Sequence, residues 1–158
     1  MNCQMADLKR ALERSGFENV VTVLSSGNAV FDAKAASVER LEKQIEAATR
    51  EHLGREFATI VRSVETLQAL LDTDPFKPFK PATSAKRVVS FLKREAKPAV
   101  KLPLERSGAR VLTVRGAEAF TVYEVSDEGP VFMQLIEQAF GKDVTTRTWD
   151  TVKKVASK

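Results

Sequence analysis

Asp74-Pro75-Phe76-Lys77-Pro78-Phe79-Lys80-Pro81 is the stretch on which the reading of this chain turns. Proline lacks an N–H and has a fixed φ, so three prolines in seven residues break any helix and exclude a central strand. The segment therefore divides the sequence into two halves that can be compared. Upstream, Met5, Leu8 and Leu12 fall at helical spacing and Gly16 follows as a stop. Val20 to Leu24 and Ala29 to Phe31 are short β-prone runs joined by the turn residues Ser25, Ser26, Gly27 and Asn28. A second helix is expected from the N-cap Ser37 to Gly54, with Val38, Leu41, Ile45 and Ala48 as its apolar stripe, then a strand from Glu56 to Arg62 and a short helix from Val64 to Asp72.

Downstream, Arg87 to Leu92 reads as a strand and the run to Gly108 as an irregular or short helical connection. Arg110 to Val114 and Phe120 to Val125 form a hairpin across Gly116. Phe132, Leu135, Ile136, Ala139 and Phe140 mark an amphipathic helix stopped by Gly141. A last helix begins after Thr148. Both halves contain a hairpin, then a helix, then an extended run. That order predicts an α+β protein of two ferredoxin-like (split β-α-β) subdomains in tandem. The expected divisions are 1–76, the joint 77–81, and 82–158 with the C-terminal helix. The first copy lacks its opening strand, an interior one, so its sheet is expected to keep unpaired backbone groups and an open groove.

The 158 residues are 43% hydrophobic and 29% charged, which suits packed domains rather than a disordered chain. One cysteine, Cys3, excludes an internal disulfide, no apolar run is long enough to span a bilayer, and the first residues do not read as a leader. A cytoplasmic protein without membrane attachment is the expectation. The net charge of +4 is uneven: residues 1–80 carry 11 Lys and Arg against 12 Asp and Glu, whereas residues 81–158 carry 14 against 9. Lys86, Arg87, Lys93 and Arg94 lead the basic run, which serves solubility and is also a candidate for weak contact with nucleic acid or another polyanion. Base stacking is disfavoured, because Phe120 and Tyr123 are three residues apart and point to opposite faces of a strand.

Catalytic signals are sparse. His52 is the only histidine and lies on a helix, no phosphate-cradling glycine loop or serine-nucleophile elbow is present, and no metal or cofactor is called for. Ser26, Gly27 and Asn28 have the composition of an anion-binding nest, which is also ordinary turn chemistry. Thr145, Thr146, Arg147, Thr148, Trp149 and Asp150 form the densest polar cluster, in which Thr148 caps a helix, Trp149 packs inward and Arg147 pairs, or Arg147 and Trp149 contact an anion or a partner. Two readings of function follow: a non-enzymatic binding or interaction module, or a small enzyme or binder that holds an anionic small molecule between the Ser26-Gly27-Asn28 turn and Arg147. The missing strand leaves two explanations open: the natural protein starts upstream of Met1, or another chain, as in a homodimer through the incomplete first sheet, or a rearranged pairing fills the gap.

Met5-Ala6-Asp7-Leu8, Ser26-Gly27-Asn28-Ala29-Val30-Phe31, Asp74-Pro75-Phe76 and Thr145-Thr146-Arg147-Thr148-Trp149-Asp150-Thr151-Val152 together resemble the domain-of-unknown-function 1697 family of small bacterial proteins. The family pattern carries asparagine where this chain has Asp74, Thr148 and Asp150. The resemblance implies an α+β fold of two related subdomains and supplies no activity, cofactor or catalytic residue. It also implies an extra strand and a glycine-containing segment ahead of the position of Met5, which this sequence does not show.

Overall fold

A computed structural model describes residues 3–158. Helices and strands are mixed in an α+β arrangement, with two separate sheets and two compact units. One unit comprises residues 1–67 with 153–158, and the other residues 68–152.

In the first unit, α1 (Met5–Arg14) buries Leu8 and Leu12 of the expected stripe together with Ala11, while Met5 is half-buried against the same core. It leads into a hairpin of β1 (Glu18–Val23) and β2 (Asn28–Asp32), in register through Val21 opposite Val30 and Thr22 opposite Ala29. The helix α2 (Val38–Leu53) starts where Ser37 accepts the Arg40 N–H at 3.2 Å and ends at Gly54, whose φ of 71° a side chain would resist. Leu8, Leu12, Phe17, Val20 and Ile45 form the core, with Ala29, Phe31, Leu41 and Val61 packed against it. The rings of Phe17 and Phe31 meet edge to face at 4.8 Å.

Residues 56–62, expected as a strand, pair with no strand among the described residues. Their backbone instead bonds to side chains of α2, a ladder that periodicity alone does not disclose. The helix α3 (Val64–Thr73) follows, close to its expected span.

The second unit contains the Pro-rich segment, folded as one 3-10 turn over Lys77–Phe79. Phe76 is fully buried, edge to face with Phe120 at 5.5 Å and with Trp149 at 5.1 Å. The strands are β3 (Lys86–Leu92), β4 (Leu104–Arg106), β5 (Ala109–Arg115), β6 (Glu118–Tyr123) and β7 (Val144–Thr148). They form one antiparallel sheet in the order β4-β5-β6-β3-β7. Thus β3, earliest in sequence, is interior and pairs with both β6 and β7. The helix α4 (Val131–Phe140) lays Val131, Leu135 and Ile136 on Val88, Ala109 and Val111. The expected irregular connection before Gly108 supplies the short edge strand β4. The final helix α5 (Trp149–Ala156) is capped by Thr148, whose Oγ1 accepts the Thr151 N–H at 3.2 Å. None of these helices is long and apolar enough to cross a membrane.

Candidate functional site

The most unusual chemistry in the first unit is a ladder between a helix and an extended chain. On α2, residues 42, 46 and 49 follow helical spacing and so share one face beside the apolar stripe. Thr49 Oγ1 accepts the Phe57 N–H at 3.1 Å, Glu46 Oε2 the Thr59 N–H at 2.9 Å and Glu42 Oε2 the Val61 N–H at 3.0 Å. Helix residues spaced by three and four thus match chain residues spaced by two, as an extended backbone requires. Glu42 and Thr49 are buried despite their polarity, and their bonding accounts for that burial. By the same alternation Ala58 and Ile60 aim their N–H groups away from α2, where no partner lies among the described residues.

The strand β2 has a complementary deficit. Its inner edge pairs with β1, and its outer edge has no strand beside it among the described residues. Asn28, Ala29, Val30 and Phe31 are each half-buried, with neither face fully covered. Val21, which lies opposite Val30, is 45% exposed.

The Ser26-Gly27-Asn28 turn lies in this unit. Gly27 has φ 88°, and Asn28 Nδ2 donates to Ser26 Oγ at 2.8 Å and to Val23 O at 3.2 Å. Those bonds close the hairpin, the role of asparagine in such turns. His52 lies in the last turn of α2 with its Nε2 4.0 Å from a Glu51 carboxylate oxygen. No group of three or more potential metal ligands occurs among the described residues.

Arg147 and Trp149 belong to the second unit. Arg147 Nη1 donates to Thr145 Oγ1 at 2.6 Å and to Thr146 O at 3.0 Å, so the guanidinium folds back along the last strand of its sheet. Burial pulls its pKa below the ordinary arginine value. The Trp149 ring is buried against Phe76. A cleft of about 350 Å³ lies beside α4 and β7, with Val88, Phe132, Met133 and Val144 on its apolar side and Arg147 among the polar residues of β7 that complete the lining. Sequence periodicity shows the helix that borders this cleft, but residues 144–148 read only as an extended run, and the space between the two is not legible.

The cations Lys86 and Arg87 start β3, whereas Lys93 and Arg94 follow its other end. Seven residues of extended chain separate the pairs by roughly 23 Å. The aromatic parity argued from sequence is realised: Tyr123 stacks on Phe132 at 3.9 Å, while Phe120 is fully buried against Phe76. These two rings thus offer no solvent-facing platform for nucleobases.

Among curated proteins none matches this sequence. A conserved bacterial protein from Streptococcus pneumoniae, SP0830, has a similar solved structure, with a TM-score of 0.63 and 17% identity over 99% of this chain and 88% of that one. At that identity the likeness is one of fold. The model of the family described as protein of unknown function (DUF1697) matches residues 1–120, so this chain belongs to that family.

Proposed function

We propose that the protein is a non-enzymatic interaction module whose first unit is completed by an extended polypeptide segment supplied from outside residues 3–158. The supporting observation is the contrast between the two sheets. Hairpin, helix and extended run recur as β1, β2, α2 and residues 57–61, and as β5, β6, α4 and β7. In the second series β3 pairs with the hairpin on one side and the final run on the other. On this correspondence each unit is a split β-α-β arrangement, and the first has a vacancy where the second has β3. The half-buried β2 and the outward N–H groups of Ala58 and Ile60 are the groups such a segment would satisfy.

This reading draws on more of the molecule than an anionic small-molecule site does. The Ser26 and Asn28 side chains bond to one another, and Arg147 donates within its own strand. A polyanion reading must use cation pairs set at opposite ends of β3.

The test uses the full chain, isotopically labelled, titrated with a capped peptide of the β3 sequence Lys-Arg-Val-Val-Ser-Phe-Leu. Saturable amide shifts concentrated at residues 28–32 and 57–61 are expected. Absence of binding, or shifts confined to the second unit, would overturn the proposal.

A further inference from the structure

We infer that β7 and α4 of the second unit form a groove for an extended peptide of another protein, one that adds as a strand to the outer edge of β7, lays apolar side chains in the cleft beside α4 and carries acidic residues at both ends. The inference goes beyond the preceding proposal. Every strand of this sheet comes from residues 86–148, so the groove stands whatever completes the first unit.

Side-chain parity locates the cleft. Val88 faces α4, where Tyr123, Phe132 and Val144 pack on the same core cluster. Residues of β7 alternate, so Thr146 and Thr148 share the face of Val144, and Thr145 and Arg147 take the other. Two bonds agree with this assignment. Thr146 Oγ1 meets Ser90 Oγ at 2.8 Å across the sheet, and Arg147 Nη1 reaches Thr145 Oγ1 at 2.6 Å. Yet all five residues of β7 line the cleft, not only those on the α4 face. The cleft therefore runs along the edge of the strand, where backbone of both parities is reached. That edge pairs with no strand among the described residues, because β7 is last in the sheet order and β3 takes its other side.

The two walls ask for different chemistry. The backbone N–H and C=O groups along the edge of β7 are matched by a second extended backbone. Val88, Phe132, Met133 and Val144 ask instead for apolar side chains, and Met133 is 42% exposed. A strand added to β7 turns every second residue toward α4, so a single occupant meets both demands.

Charge selects among such peptides. Val144 and Thr148 lie opposite Leu92 and Val88, so the cations next along the chain bracket the groove, Lys93 and Arg94 beyond one end and Lys86 and Arg87 beyond the other. Glu95 is the only carboxylate between residues 86 and 97, and on the β7 run Lys142 and Arg147 offset Asp143 and Asp150. The separation of the two cation pairs, a drawback for a compact polyanion, matches the ends of an extended peptide that fills the groove. Acidic flanks are thus complementary to it, and basic flanks meet like charge.

The test titrates the isotopically labelled full chain with the capped peptide Asp-Asp-Val-Thr-Leu-Thr-Val-Asp-Asp. Saturable amide shifts at residues 132–133 and 144–148 are expected, with an affinity that falls as salt is raised. The same core flanked by lysines should bind at least about tenfold more weakly, and Met133→Glu, at an exposed position, should weaken the acidic peptide by a similar factor while Met133→Leu does not. The peptide comparison requires no variant to fold. Absence of binding, equal binding of the lysine-flanked peptide, or equal binding of an acid-flanked peptide with serine in place of its apolar residues overturns the inference. So does an unchanged affinity in Met133→Glu, or self-association of the chain that masks residues 144–148 from the peptide at rising concentration. Shifts confined to residues 28–32 and 57–61 overturn it too, while supporting the preceding proposal.

Discussion

The buried carboxylate of Glu42 accepts the backbone N–H of Val61 at 3.0 Å, joining the middle of α2 to an extended segment 19 residues further along the chain. With Glu46 and Thr49 it replaces the strand that would otherwise satisfy this backbone. Glu42→Ala would leave the Val61 N–H without its acceptor, and Glu42→Gln would keep an oxygen in reach. We expect Glu42→Ala to cost about 1.5–3 kcal/mol and Glu42→Gln less, read from chemical denaturation. Equal losses would mean that the bond to Val61 does not carry the effect.

Thr121 has the opposite problem. It is fully buried in β6, and its Oγ1 has no hydrogen-bond partner among the described residues. It lies opposite Val88 on one side and Val111 on the other, two core residues beneath α4. Thr121→Val has nearly the same shape and removes the unpaired hydroxyl, so a gain of about 1 kcal/mol is expected. A thermal or denaturant midpoint that falls would show that the hydroxyl has a partner, such as an ordered water.

Cys3 is partly buried against the first core, and its thiol pKa is raised, first by burial and then by the negative charge of Asp7. A raised pKa lowers the thiolate fraction at a given pH, and the thiolate is the reactive form. Alkylation at neutral pH should therefore be slower than for a cysteine in a short unstructured peptide, and should rise by about tenfold per pH unit until the raised pKa is reached. Asp7→Asn should shift the profile toward lower pH. A profile at or below that of the peptide would contradict the placement of this thiol.

Amino-acid order alone determined most of the local elements, because their signals are short-range. Ser37 and Gly54 bracket α2, Thr148 caps α5, and the parity of Phe120 and Tyr123 sends one ring to Phe76 and the other to Phe132. The densest polar motif was legible too, although its indole is buried against Phe76. What only tertiary structure decided was where backbone groups find partners over long separations. Residues 56–62 have the alternation of a strand, yet periodicity reports which faces are apolar and not which donor meets which acceptor. Glu42, Glu46 and Thr49 take those bonds because the fold brings α2 alongside, and the interior place of β3 likewise depends on β6 and β7 arriving later in the chain.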